Sequence, residues 1–247
     1  MEFLVLGPLR AGGPGGGTVG APKVTALLAV LLVRAGETVS FDELIDELWP
    51  EGPPRRARAA LHVYVSQLRR RVLPPEGARI VTGARGYALV GAVTDAARLE
   101  RLRGEAVAAS IADPVLALDR FSAAAALFRG PVLAGVPYGP VAGAFARWAE
   151  ECRLECLEGI ASCALRAGRH RELVGDLTRW VEEHPLNETL REQLMLALHR
   201  SGRRAEALAA FHQAERVLRT ELGIGPRAAM LRLRSQIADE AALPVAG

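Results

Sequence analysis

The sequence predicts a mainly α-helical chain in two parts: a small amino-terminal domain of short strands and three helices, then an all-α domain. Three observations carry this. Strand-like alternation and hairpin chemistry are confined to the first 91 residues. Apolar residues recur at helical spacing almost everywhere else. Two Gly-Arg pairs, Gly168-Arg169 and Gly202-Arg203, lie 34 residues apart, the period of a helical hairpin repeat. The chain has 247 residues, 50% of them hydrophobic and 24% charged, enough apolar side chain to build cores and to exclude disorder as the dominant state.

Taken in order, Phe3 to Leu9 is expected as a short strand. A loose glycine turn, Gly12 to Gly17, leads to a second strand at Thr18-Val19. Pro22 opens the first helix, its fixed φ suited to the first turn; Gly36 closes it. Val39-Ser40 is a connector. Phe41 to Trp49 is a second helix, with Asp42 and Glu43 complementing its amino-terminal dipole, and Pro50, Pro53 and Pro54 end it. Arg55 to Val72 is a third helix, carrying the stripe Leu61, Val65, Leu68, Val72. Arg79–Thr82 and Tyr87–Val90 form a hairpin around Gly83-Ala84-Arg85-Gly86.

Beyond Gly91 the periodicity predicts helices near 94–110, 114–128, 140–167, 172–183, 187–200, 203–222 and 226–241. After Gly202, the small Ala207, large Phe211 and small Ala214 fit the second helix of a tetratricopeptide-like unit; after Gly168 the match is partial. The expected domains are therefore 1–91 and 92–247, the second a stack of helical hairpins.

Charge divides along the same line. Residues 1–91 carry eleven Lys and Arg against eight Asp and Glu, whereas residues 92–247 carry twenty of each. Arg55, Arg56, Arg58, Arg69, Arg70 and Arg71 fall in a segment, Gly52 to Pro75, without one acid. A local basic field of this kind is the footprint of a polyanion-binding surface.

With its stripe turned inward, the third helix presents Arg56, Ala59, Val63, Ser66, Gln67 and Arg70 outward. His62 and Arg69 flank one side, Tyr64 and Arg71 the other. Glutamine can pair with adenine, arginine with guanine or phosphate, and valine with a thymine methyl. Arg85 tips the hairpin, with Thr82 beside it, in reach of a phosphate. Three helices and a basic-tipped hairpin make a winged helix-turn-helix. The expected DNA-binding set is Arg56, Arg58, His62, Val63, Tyr64, Ser66, Gln67, Arg69, Arg70, Arg71, Thr82 and Arg85.

Other chemistry has weaker support. Gly15 to Gly20 matches G-x-G-x-x-G, but the turn before it is too long and no second strand follows the helix. A dinucleotide-dependent enzyme built on Gly15, Gly17 and Gly20 is a rival that this spacing disfavours. Cys152, Cys156 and Cys163 share one helix without opposing ligands, so a structural role is expected and no metal. No nucleophile elbow or H-E-x-x-H occurs, so neither catalytic residues nor a cofactor are expected. The amino terminus lacks a basic signal-peptide region, and Val24 to Val33 is too short to span a bilayer. A soluble, cytoplasmic, nucleoid-associated protein is expected.

Several segments resemble one family. Gly20-Ala21-Pro22-Lys23, Leu27 to Leu32, Asp42-Glu43-Leu44-Ile45 and Leu48-Trp49 are similar to the start of the Streptomyces antibiotic regulatory protein family. Ala60 to Arg70 and Gly86-Tyr87-Ala88-Leu89 resemble its recognition helix and wing, of the OmpR type found as the effector domain of two-component regulators. Arg129 to Leu133 and Glu221 to Pro226 are similar to its bacterial transcriptional activator domain. The resemblance implies an activator of secondary-metabolite (antibiotic) gene clusters that binds direct repeats in double-stranded DNA near the −35 element. It also implies recruitment of RNA polymerase holoenzyme by a homodimer or side-by-side oligomer on DNA, with no membrane partner. Control by ATP or by a phosphorylated receiver is not expected. The alternative is a tetratricopeptide-like scaffold that binds protein and not DNA.

Overall fold

The computed structural model describes residues 2–11, 21–73 and 77–239, and divides the chain into two compact units. The first joins residues 1–104 with 123–154; the second joins 105–122 with 155–247. The chain is mainly α-helical, with short strands confined to the amino-terminal part.

The first unit opens with β1 (Glu2–Leu4) and β2 (Arg10–Ala11), then α1 (Pro22–Val33), β3 (Thr38–Ser40), α2 (Phe41–Leu48) and α3 (Ala57–Arg71). The hairpin β4 (Arg79–Thr82) and β5 (Gly86–Val90) follows, then β6 (Val93–Thr94) and α4 (Asp95–Ala109). Two three-stranded sheets result, ordered β2-β1-β6 and β3-β5-β4. Helix α1 is buried all round from Ala26 to Leu32, which is why its sequence shows no polar face.

Several elements depart from expectation. Val39-Ser40 is not a bare connector but the end of strand β3, with Val39 opposite Tyr87 on β5. Val93–Thr94 adds a parallel strand beside β1. Strand β1 ends at Leu4, and its antiparallel partner is Arg10–Ala11. The expected strand at Thr18-Val19 and the glycines before it lie outside the described residues. Helix α3 begins at Ala57, because Pro53 and Pro54 precede it and Arg56 has a non-helical ψ of 37°.

Local chemistry accounts for the starts of α2 and the wing. Ser40 Oγ accepts from the Glu43 amide at 3.1 Å, while the Glu43 carboxylate accepts from the Ser40 amide at 2.9 Å. This reciprocal cap satisfies two amides that α2 cannot pair internally, and the Ser40 amide holds the Glu43 carboxyl below its usual range. The next amide, Phe41 N–H, donates to the Arg85 carbonyl at 2.9 Å and ties the hairpin to the start of α2. Gly86 lies where β3 and β5 meet, and a Cβ there would stand 1.8 Å from the Val39 carbonyl oxygen.

Two buried carboxylates join distant parts of this unit. Glu47, 3% exposed near the end of α2, accepts from the amides of Gly139, Val141 and Ala142 at 3.0, 2.6 and 3.1 Å. These are the first amides of α6 (Pro140–Arg166), so a side chain from far along the sequence caps this helix. Gly139 lets the carboxylate approach, since a Cβ there would lie 2.6 Å from Glu47 Cδ. Asp95, 1% exposed, accepts from the amides of Val5 and Leu6 at 2.7 and 3.1 Å and pairs with Arg129 at 3.2 Å.

The second unit is helical: the end of α4, most of α5 (Pro114–Ala125), the later part of α6, then α7 (His170–Glu183), α8 (Glu188–Arg200), α9 (Arg204–Leu222) and α10 (Ala228–Asp239). Ala207, Phe211 and Ala214 are buried along α9, and Leu173, Leu177 and Trp180 along α7, as the repeat spacing expects.

Replacing Glu47 by alanine leaves three amides at the start of α6 without their acceptor. The expected loss is about 2–4 kcal/mol, read as a lower denaturant midpoint at unchanged slope. Gly86→Ala is expected to cost about 1–3 kcal/mol by forcing β3 off β5. A melt within error of the parent for either variant would contradict the packing described here.

Candidate nucleic-acid interface

Helix α3 is held by Ala57, Leu61, Val65 and Leu68, all buried. Val72, expected to continue this stripe, is only half-buried, and Leu73 takes the inward position after the helix ends. On the opposite side Val63 is 54% exposed. Arg56, Arg58, Ala59, Arg70 and Arg71 are exposed as well, while Ser66 and Gln67 are half-buried. Gln67 thus stands at the edge of the outward face and Val63 at its centre.

The flanking side chains have work inside the fold. Arg69 turns its guanidinium to β4, donating to the Ile80 carbonyl at 2.8 Å and to Thr82 Oγ1 at 2.9 Å. His62 Nδ1 lies 2.5 Å from the Tyr87 hydroxyl on β5. The Tyr87 ring is buried and meets Phe41 edge-on at 5.5 Å; burial raises its phenol pKa. Helix and hairpin are therefore joined by two polar struts and an aromatic cluster. Arg58 lies over the Phe41 ring at 5.1 Å, with Asp42 at 3.9 Å. Tyr64 stacks on Trp49, ring centroids 6.2 Å apart.

What remains is a set of cations without internal partners. The side chains of Arg55, Arg56, Arg70, Arg71 and Arg85 are exposed and make no hydrogen bond or ion pair with any described residue. Arg55 belongs with them, although helix geometry did not single it out, because it lies in the turn before α3. Of the twelve residues expected at the interface, His62, Arg69 and Thr82 are tied into the hydrogen bonding between α3 and the hairpin. Arg58 and Tyr64 rest on aromatic rings. Arg56, Val63, Arg70, Arg71 and Arg85 point to solvent, with Ser66 and Gln67 partly sheltered beside them.

Periodicity could not have revealed Phe41, Trp49 or Tyr87 as supports, since each depends on a contact between elements. The one available signal was the aromatic residue at each element end, in a chain with only 5% aromatics. Among the described residues no cluster of three metal-ligating side chains occurs. Cys152, Cys156 and Cys163 are buried along α6, and burial pushes the Cys163 thiol up, away from nucleophilic use. The G-x-G-x-x-G segment lies outside the described residues. No described helix is long and apolar enough to cross a membrane.

Comparison with known proteins gives the chain's relatives. Residues 18–89 match the family model for the carboxy-terminal domain of transcriptional regulatory proteins, and residues 94–238 match the bacterial transcriptional activator domain. The regulatory protein AfsR of Streptomyces coelicolor is 44% identical over 242 residues, 96% of this chain and 24% of its own length. The regulatory protein DnrI of Streptomyces peucetius is 36% identical, with 96% of this chain and 92% of that protein covered. RedD of Streptomyces coelicolor, a transcriptional regulator, is 32% identical, covering 96% and 70%. The chain thus spans about a quarter of the AfsR relatives but most of the DnrI relative. A solved structure of Mycobacterium tuberculosis EmbR, in complex with a low-affinity phosphopeptide, superposes with a TM-score of 0.88 at 30% identity, covering 97% of this chain and 65% of that one. On these matches the chain belongs to the Streptomyces antibiotic regulatory protein family of transcriptional regulators.

Proposed function

We propose that the chain is a sequence-specific transcriptional activator that lays α3 in the major groove of double-stranded DNA and sets the β4–β5 hairpin on the adjoining backbone. The observation that carries this reading is the partition of the basic segment. Arg69 is consumed in holding the hairpin, whereas Arg55, Arg56, Arg70, Arg71 and Arg85 face solvent without partners. Exposed arginines left unpaired, four of them in a stretch free of acids, are matched by a phosphate backbone.

Within the proposed interface, Val63 and Gln67 read base edges. Arg56, Arg70, Arg71 and Arg85 hold phosphates, and Ser66 contributes a hydroxyl at the groove wall. His62, Arg58, Tyr64, Arg69 and Thr82 act by fixing the helix and wing, with Arg58 close enough to the exposed face to add a phosphate contact. The DNA-binding function is assigned to residues 1–91 and the activating function to residues 92–247. The regulators DnrI, RedD and AfsR support a role in controlling transcription, and the family resemblance extends it to switching on an antibiotic or other secondary-metabolite cluster from direct repeats near the −35 element. Recruitment of RNA polymerase holoenzyme, side-by-side binding of copies, and a cytoplasmic, nucleoid-associated location complete the proposal. No cofactor or catalytic step enters it.

Single-base variants of a bound operator, titrated at two salt concentrations, test the partition between reading and holding. Gln67→Ala is expected to flatten preference at one position of each repeat, at about 1–3 kcal/mol on the preferred base only. Arg85→Ala should weaken all sequences alike and lower the slope of log K against log salt by about one. A parent chain whose binding does not respond to salt would point to a protein ligand instead.

The two kinds of arginine on α3 separate in stability. Arg71→Ala is expected to reduce DNA affinity while leaving the thermal midpoint in place. Arg69→Ala removes both bonds to β4 and should lower the midpoint as well as the affinity, by about 1–3 kcal/mol in folding free energy. Equal melting of these two variants would show that Arg69 does not brace the hairpin.

A further inference from the structure

The hydrogen bond between Tyr87 and His62 has a fixed direction, and that direction decides what His62 can offer outside the fold. Tyr87 is 1% exposed, and its hydroxyl meets no acceptor among the described residues other than His62 Nδ1, at 2.5 Å. Burial raises the phenol pKa, so the hydroxyl keeps its proton at neutral pH. A buried O–H without an acceptor is costly. An Nδ1–H aimed at Tyr87 would leave the phenolic proton with nowhere to go. Nδ1 is therefore the acceptor, and the ring proton of neutral His62 sits on Nε2.

Nε2 itself has no partner among the described residues, and His62 is exposed. A flipped ring would set Cδ2 against the hydroxyl and strand its proton again, so the same accounting fixes the ring orientation. Phe41 and Tyr87 flank the ring edge-on, with centroids at 6.2 and 6.1 Å. His62 thus carries an oriented, uncharged N–H donor that the fold does not use.

This donor lies at the seam between α3 and the hairpin. Arg58, His62 and Arg69 recur at i, i+4 and i+11, one stripe of α3 from which Arg69 reaches β4 and His62 reaches β5. Arg58 lies over the Phe41 ring at 5.1 Å, and the Phe41 amide holds the Arg85 carbonyl. Arg58, His62 and Arg85 are thereby gathered around Phe41, with the helix on one side and the tip of the hairpin on the other.

We infer that His62 donates its Nε2–H to a phosphate of the DNA strand that passes between α3 and the hairpin, a contact separate from the bracing done by Nδ1. The contact rests on the DNA-binding reading above; the tautomer does not. A phosphate is assigned, and not a base, because the His62 stripe faces the hairpin whereas Val63 marks the centre of the outward face. The donor is neutral, since a proton on Nδ1 would set N–H against O–H. Unlike the arginines, it strengthens the grip on DNA without releasing a counterion.

NMR of the imidazole nitrogens in the full-length chain, without DNA, tests the tautomer. Nδ1 is expected bare and Nε2 protonated at neutral pH; a protonated Nδ1 overturns the proposal. Two variants test the contact, because asparagine sets its amide where Nδ1 stands and glutamine where Nε2 stands. His62→Asn keeps an acceptor for Tyr87 and loses the outer donor. It is expected to melt near the parent and to bind every operator variant about tenfold more weakly, the scale of one hydrogen bond to a charged acceptor. The slope of log K against log salt should not change. His62→Gln should regain part of the affinity despite a lower melting midpoint, which a purely structural role would not allow. Parent-like affinity in His62→Asn, or affinities that simply follow the melting midpoints, overturn the proposal. So does a slope lowered by about one, which marks His62 as a cation, or a changed base preference, which marks Nε2 as a base reader. A parent that binds no duplex overturns the DNA reading and this contact with it, while the tautomer, measured without DNA, stands.

Discussion

The carboxylate of Glu47 is the constraint on which the amino-terminal unit turns. A buried charge is tolerated only where its lone pairs are taken up, and the first amides of a helix are a ready set of donors with a favourable dipole behind them. Glu47 meets the opening of α6 in this way, and Gly139 removes the side chain that would keep it out. Asp95 does the same work at the end of β1, where the amides of Val5 and Leu6 point inward past the last strand pair. Each carboxylate fastens a winged-helix element to a segment of the activator-domain sequence: α2 to 139–142 through Glu47, and the β1 end to Arg129 through Asp95. The compact unit therefore reaches beyond the first 91 residues, taking in 123–154.

From that anchored α2 the geometry of the interface follows. The Phe41 amide holds the Arg85 carbonyl, and its ring supports both Tyr87 and Arg58. Tyr87 in turn meets His62, and Arg69 reaches β4, so α3 and the hairpin are fixed to each other from two sides. A helix that reads base edges, as proposed for α3, needs this rigidity. Base-edge hydrogen bonds discriminate only when their donors are placed to within a fraction of an ångström, and an arginine used as an internal brace supplies that placement better than one more phosphate contact.

Much of this is legible in the sequence. The stripe Leu61, Val65, Leu68 is a clean helical period, the glycine-flanked hairpin is explicit, and a basic run without acids is visible by inspection. The long helices from Pro140 to Leu222 were legible because apolar spacing repeats over many turns. Strands β3 and β6 were not, since two or three residues cannot show an alternation and their pairing is set by partners elsewhere. Glu47 was illegible for a different reason: on α2 it looks like one more solvated acid, and the amides that donate to it lie 92 residues away or more. The same holds for Arg69, which periodicity places on a flank but whose direction is decided by the register of β4.

On the proposed reading, the unpartnered cations also bear on how such a protein finds its site. Each arginine that faces solvent contributes through counterion release that fades as salt rises. This attraction acts alike on random DNA and on a specific site. Adding arginines would strengthen both alike. A contact between neighbouring copies behaves differently, because it acts only when two sites lie at the right spacing, and it multiplies occupancy there by raising effective concentration. On that reading, the chain gains selectivity most efficiently from contacts between copies rather than from added arginines.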